Sequence, residues 1–491
     1  MEAVFGLDKL SSTTVISLAT LTTLVAVIWT YRFSLIQRKK LPPGKLGLPF
    51  IGESISFFRA HKHNNIGKWI EERTIKYGPV FKTSLMGENV VVMTGEASHR
   101  FIFSGRDNGI AAKLATSALA ILGKNNIFDL YGSPHKLVRS AIMSFLNSEC
   151  IQRYVSKMDS LVKEQVLQEL NDKETVQVVL LMKKISFIAT ASLLFGLPEA
   201  KERDGLFKDF TIAVKGMWSI PLNLPGSTFR KAVQARGRIF KLFTNLIAER
   251  KRGLEDGSMG SHDDVILCLL SLRDENGKTL PDEEIINNLI ALMMASHDTT
   301  SVLLSLIVRE LAKNASVYDK VLEEQNEIAK VRSIASDGQL GWREIQKMRY
   351  TWNVAQELMR LTPPIIGNFR HAWRDTTFNG YDIPKGWQVF WLATSTHLDN
   401  KVFEDPVKFN PSRFDTNSKS SVPPYTYIPF GAGPRVCPGA EFARTEVLLI
   451  IHHLITNYKW TAMVEDEIVV RDPMPFPNKG LPVKIYPKHN I

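Results

Sequence analysis

Phe430-Gly431-Ala432-Gly433-Pro434-Arg435-Val436-Cys437-Pro438-Gly439 sets one cysteine in a glycine-rich, basic loop, and a helical pattern begins directly after it at Ala440. Glycine tolerates the tight turns and close backbone approach such a loop requires. Amide N–H groups near a helix start stabilise a thiolate and lower its proton affinity. A thiolate presented in this way can be the fifth ligand of a haem iron, where anionic sulfur pushes electron density onto the metal and favours O–O cleavage. A structural cysteine buried in a loop is the competing reading. Ten residues alone do not choose between them; three constellations elsewhere in the chain do.

The first is a long apolar stretch, residues 283–308, interrupted by Ala295-Ser296-His297-Asp298-Thr299-Thr300-Ser301. A helix this apolar belongs in a core, so polar side chains at its middle need a reason. A threonine hydroxyl bonded back to the i−4 carbonyl bends a helix, and a bend over a haem face leaves room for dioxygen and a water. Thr299 is then the candidate for orienting the oxygen under reduction, and Asp298 for relaying protons to it. Read without the cysteine loop, Asp298 breaks or caps a helix and the threonines pack; with it, the catalytic reading prevails. His297 lacks the spaced partner an iron ligand would have.

The second is Glu357 with Arg360, three apart on one helical face. Arg413 follows in Pro411-Ser412-Arg413-Phe414. A buried carboxylate between two guanidinium groups is a costly but specific tie, suited to fixing the cysteine loop, so these three take a structural role. The third is a set of cations for the two carboxylates of haem: Arg435 beside the cysteine, Arg139 with His135 four residues before it, and Arg370. Solvated surface positions are the alternative for each of these.

The whole chain of 491 residues is 44% hydrophobic and 23% charged, a globular composition without low-complexity tracts. Cys150, Cys268 and Cys437 make no disulfide framework, and the first two read as small buried hydrophobes. A formal charge of +11 suits an anionic membrane surface or an acidic protein partner. No basic stripe interleaved with aromatics is present, so nucleic acid is not an expected partner. Residues 11–31 carry no charge and are long enough to span a bilayer core. Glu2, Asp8 and Lys9 precede them, and Arg32, Arg38, Lys39 and Lys40 follow, a bias that keeps the rest of the chain cytosolic. A cleaved signal would have the opposite polarity. The expectation is an anchor and basic flank over 1–40, then a proline-rich hinge and one catalytic domain over 41–491. That domain is mainly α with a minor β portion: a hairpin over 80–92, long amphipathic helices from 133 to about 361, a second hairpin region at 369–390, a helix at 441–458 and strand-like pieces to 487.

Taken together, these motifs resemble the cytochrome P450 monooxygenases over essentially the whole chain. Ser296 stands where that family commonly has glycine. The resemblance implies a triangular helical prism around haem b, with Cys437 on the iron, Asp298 and Thr299 in oxygen activation, and Glu357, Arg360 and Arg413 as a structural triad. The basic-to-proline anchor is similar to that of microsomal members. It implies a single-pass endoplasmic reticulum protein facing the cytosol, with NADPH electrons arriving through the flavins of a separate NADPH–cytochrome P450 reductase. Pro49-Phe50-Ile51-Gly52-Glu53, Pro221-Leu222-Asn223-Leu224-Pro225-Gly226 and Tyr425-Thr426-Tyr427-Ile428-Pro429-Phe430 resemble the plant members that oxidise triterpenes, taxanes and abscisic acid.

By the same resemblance the substrate pocket is lined by Ala115, Leu119, Leu122, Leu292, Met293, Ala295, Ile365, Ile366, Phe369 and Phe476. The expected substrate is a hydrophobic diterpenoid or triterpenoid, hydroxylated by dioxygen at an unactivated carbon, with successive oxidation at one carbon left open. A phytohormone or sterol oxidase, acting on abscisic acid or a brassinosteroid, is the alternative within the same chemistry. A haem isomerase working without external electrons, or a noncatalytic haem sensor, would not need the Asp298–Thr299 relay.

Overall fold

The computed structural model describes Thr20, Thr23 and residues 39–48, 51–104, 108–197, 200–334, 339–415 and 422–488. Apart from Thr20 and Thr23, the expected span at 11–31 lies outside the described residues.

Helices carry most of the core. The longest, Asp282–Lys313, starts after Pro281 with Asp282, Glu283 and Glu284 in its first turn and ends with Lys313, charges that complement its dipole. It packs against Val178–Phe195, Thr228–Glu255, Arg349–Leu361 and Ala440–Asn457. Asp282–Lys313 and Val178–Phe195 are long and apolar enough to cross a bilayer, but 83% and 72% of their most apolar windows are buried within the protein. They are core helices.

In the main sheet, strands β1 (Val80–Leu85) and β2 (Glu88–Met93) form the expected hairpin, turned by Met86 and Gly87 at positive φ. Val90, Val91, Val92 and Met93 are all fully buried because β2 is sandwiched on both faces. It pairs in parallel with β8 (Gln388–Leu392), Val90 opposite Gln388. The second hairpin region differs from a simple hairpin. β5 (Gly367–Ala372) pairs antiparallel with β8, and a separate small hairpin, β6 (Thr376–Phe378) with β7 (Tyr381–Ile383), is nested between them. Asn379 at φ 50° and Gly380 at φ 75° make its tight turn. The short β3 (Ile110–Ala112) closes the edge on β5, giving the order β1-β2-β8-β5-β3. A second sheet, β4 (Thr175–Gln177), β12 (Pro482–Pro487) and β9 (Tyr458–Ala462), and the hairpin of β10 (Val469–Arg471) with β11 (Pro475–Pro477), bring the end of the chain onto the helical body.

Candidate active site

Cys437 follows a single 3₁₀ turn, Gly433–Arg435, and precedes the helix Ala440–Asn457. Its amide donates to the Phe430 carbonyl at 2.9 Å, which closes the loop on itself. Gly433 sits at φ 64°, and a Cβ there would lie 1.9 Å from the Phe103 carbonyl oxygen, so only glycine fits against the helix Glu96–Phe103. Cys437 keeps open surface, unlike Cys150 and Cys268, which are buried. Burial of its surroundings nevertheless raises the thiol pKa, only partly opposed by the Gly439 amide and the Arg139 charge. The amide donor expected from the sequence is present and lowers the proton affinity as expected, but desolvation outweighs it, and a persistent thiolate there calls for a bound cation.

Three arginines and a histidine, brought from distant elements, form one electrostatic cluster that reaches this sulfur through Arg139. His135 and Arg139 lie on the helix Gly132–Leu146, Arg370 on β5 and Arg435 in the loop. Arg435 donates to the carbonyls of Ile127 (3.1 Å) and Leu130. Burial, and then the charges of Arg435 and Arg139, push the His135 pKa down to about 4. Burial followed by the Arg435 charge lowers Arg370 to about 10, and burial followed by Arg139 lowers Arg435 to about 10. Among the described residues, no carboxylate contributes to the charges acting on any of the four.

The long helix carries the other residues expected to act. Leu292, Ala295, Ser296 and Thr299 share one stripe at i, i+3, i+4 and i+7. Ala295, Ser296 and Thr299 keep open surface although the residues around them are buried. Thr299 Oγ1 donates to the Ala295 carbonyl at 2.7 Å and Ser296 Oγ to that of Met293 at 3.0 Å, the back-bonding anticipated for the bend. Asp298 is turned away from this stripe. Burial alone would raise its pKa, but His297 and Lys183 reverse the sign and hold it at about 2. Lys183, on Val178–Phe195, was invisible to sequence reasoning, because nothing in its local pattern marks it as a partner of Asp298.

Three of the expected pocket residues do not present themselves. Leu122 and Met293 are 1% and 0% exposed. Ile366 packs in a core cluster with Phe57, Trp69 and Phe390. Met293 lies about 160° around the helix from Ala295 and about 120° from Thr299, outside the stripe. Leu292 is largely buried at the stripe's edge, while Ala115, Leu119, Ile365, Phe369 and Phe476 retain open surface. Ala115 and Leu119 belong to the segment leading into and along Thr116–Leu122, which packs on the long helix, as does β11 with Phe476. The Phe369 ring lies 4.7 Å from that of Phe390, and Lys183 Nζ stands 4.5 Å from the Phe476 ring centroid.

Behind the site, Glu357 accepts from Arg360 Nε at 2.7 Å and Nη2 at 2.8 Å, from Arg413 Nε at 3.3 Å and from the Asn410 amide at 2.9 Å. Arg360 also donates to the carbonyls of His397 and Pro406, which fastens the segment approaching the cysteine loop.

A cysteine in a glycine-bounded loop coupled to arginines, together with a long core helix carrying a buried acid beside an open threonine, fits the haem-thiolate oxygenase class. The chain matches the cytochrome P450 family over residues 42–485 and belongs to it. It is 37% identical over 450 residues to a taxoid 14-beta-hydroxylase of Taxus cuspidata, covering 91% of this chain and 88% of that protein. It is 35% identical to a taxane 13-alpha-hydroxylase of the same species, over 98% of this chain and 99% of the relative. A beta-amyrin 28-monooxygenase of Solanum lycopersicum is 38% identical over 93% of this chain and 96% of its own. Among solved structures, a retinoic acid-bound cyanobacterial P450 superposes with a TM-score of 0.80 at 30% identity, over 92% of this chain and 100% of that one. The family brings haem iron, dioxygen, a hydrophobic substrate and a redox partner, and the chain is a monooxygenase.

Proposed function

We propose that this P450 hydroxylates an unactivated C–H bond of a hydrophobic plant terpenoid, a diterpenoid or triterpenoid. The observation that carries the reading is an open cysteine coupled through Arg139 to a cluster of three arginines, set in the same protein as an open, uncharged stripe on the long helix, in a chain related to taxane and beta-amyrin oxidases. Bound haem b supplies the reduction of dioxygen and the oxidation of carbon. Cys437 would hold its iron, and Arg139, Arg370, Arg435 and His135 its two carboxylates, a dianion that relieves the mutual repulsion of the three arginines and favours the charged form of His135.

The other roles belong to the chain's own side chains. Thr299, once its hydroxyl leaves the Ala295 carbonyl, offers both a donor and an acceptor at the bend. Asp298 moves protons toward that hydroxyl. Ala115, Leu119, Ala295, Ile365 and Phe369 present carbon surface that holds a rigid skeleton and excludes water, and the carbon they place nearest the reacting oxygen is the one oxidised. Glu357, Arg360 and Arg413 fix the cysteine loop and touch no substrate. Electrons come from NADPH through the flavins of a separate reductase. The charge bias around residues 11–31 supports a single-pass endoplasmic reticulum anchor with the catalytic domain in the cytosol.

The test is turnover of a terpenoid panel in microsomes with a compatible reductase, read by mass spectrometry and NMR. A hydroxylated neutral terpene formed only with NADPH supports the reading. Oxidation of hormone or sterol substrates alone would transfer the protein to that class. Cys437→Ser should remove the long-wavelength absorbance band of the reduced CO complex, and its persistence rules out the assigned ligand.

A further inference from the structure

Asp298 is gripped from two sides on one oxygen. Lys183 Nζ lies 2.8 Å and His297 Nδ1 3.0 Å from the same Oδ1. An ionised carboxylate only accepts, so Nδ1 is the donor. The rest of the imidazole is sealed. His297 is 1% exposed, and its Nε2 has no hydrogen-bond partner among the described residues. Its ring packs at 5.8 Å against Phe187 and at 5.7 Å against Phe207, which touch each other at 5.3 Å. Phe187 comes from Val178–Phe195 and Phe207 from the next helix, Ala200–Met217. Lys183 is the other kind of partner: its side chain is 22% exposed, and the Phe476 ring covers part of it.

We propose that His297 is a positioning residue for Asp298: an aromatic cage built by two helices fixes the imidazole, and the imidazole fixes the carboxylate. This rests on the reading of Asp298 as the proton relay. The cage leaves His297 no onward polar contact, so it anchors and does not conduct. Proton traffic reaches Asp298 from the Lys183 side, where the charged partner meets solvent. Among the described residues, Lys183 and His297 are the charged or titratable groups acting on Asp298; the side chain that Ala200–Met217 places against His297 is Phe207, which does not titrate.

The experiment compares His297→Phe, His297→Asn, Asp298→Asn and the His297→Phe/Asp298→Asn double variant in the reconstituted holoenzyme, each checked for an intact reduced-CO spectrum. It measures the fraction of NADPH electrons recovered in product, and thermal unfolding of the substrate-free protein. His297→Phe fills the cage without the donor and should lower coupling several-fold, toward the Asp298→Asn level. His297→Asn places an amide N–H near the lost Nδ1 and should restore part of it. In unfolding, the losses from His297→Phe and Asp298→Asn should be less than additive in the double variant, since both changes disrupt one hydrogen bond. Normal coupling in Asp298→Asn would remove the relay itself. Uncoupling in Asp298→Asn with wild-type coupling in His297→Phe would overturn the positioning role alone. Equal losses in both His297 variants with additive unfolding would assign the residue to packing.

Discussion

Arg360 Nε lies 2.7 Å from Glu357 Oε2 with both side chains fully removed from solvent. Charges this deep are tolerated only because every arm is engaged: the guanidinium also reaches the His397 and Pro406 carbonyls, and Glu357 takes Arg413 and the Asn410 amide. Arg360→Leu strands a buried carboxylate and should destabilise the protein by about 3–5 kcal/mol. Urea unfolding measures this. A loss under about 1 kcal/mol, the range of exposed pairs, would contradict the burial argument.

Gly433→Ala drives a methyl group into the Phe103 carbonyl at an already left-handed backbone position. The loop must shift to accept it, carrying Cys437 with it. Haem content after purification should fall well below wild type while far-ultraviolet circular dichroism stays unchanged. Gly205→Ala, on an open helical surface, is the control and should retain haem.

Position on the helix, not proximity in sequence, decides which side chain meets a substrate. Ala295→Phe, on the open stripe, should abolish or redirect product formation. Met293→Leu, a volume-conserving change in the core, should cost under about 1.5 kcal/mol of stability and leave the product profile intact. Product analysis by mass spectrometry with the same terpene separates the two. A changed regiochemistry in Met293→Leu would return that residue to the pocket.

The acid limb of stability should report His135. Its folded pKa of about 4 lies below the ordinary imidazole value near 6.5. Between those values the unfolded chain takes up a proton that the folded chain refuses, so stability is fully present above 6.5 and is lost as pH falls toward 4. His61 and His397, held down mainly by burial, act in the same direction. Thermal unfolding of haem-free protein should therefore drop over that window, and less steeply in His135→Gln. Haem-loaded protein should show the shallower slope too, because carboxylates beside His135 favour its charged form. Identical slopes with and without haem would place the haem carboxylates elsewhere.

What was legible in the sequence was local. Glu357 and Arg360 are one helical turn apart, and Cys437 carries its glycines and its helix start within a few residues, so spacing alone brings out both groups. The hairpin at 80–92 and the Asn379-Gly380 turn announced themselves through alternation, β-branched residues and an Asn-Gly pair. The Lys183–Asp298 pair was not legible, because it depends on how two core helices pack. Nor was the rise in the Cys437 pKa, because spacing reveals donors and not desolvation. Met293, expected in the pocket by resemblance to the family, is fully buried outside the stripe, because the helix's rotation in the core is set by packing and not by spacing.

The parallel pairing of Val90 with Gln388 has a consequence for the order in which the molecule is made. The central strand of the main sheet waits for a neighbour translated some three hundred residues later, and the residues proposed here to hold one prosthetic group emerge at 135, 139, 370, 435 and 437. Segments leaving the ribosome early can form helices, yet none can retain the pigment before the last quarter of the chain has been translated. Insertion of the coloured group is therefore a closing act of biogenesis, and a nascent chain stalled before Cys437 should be colourless.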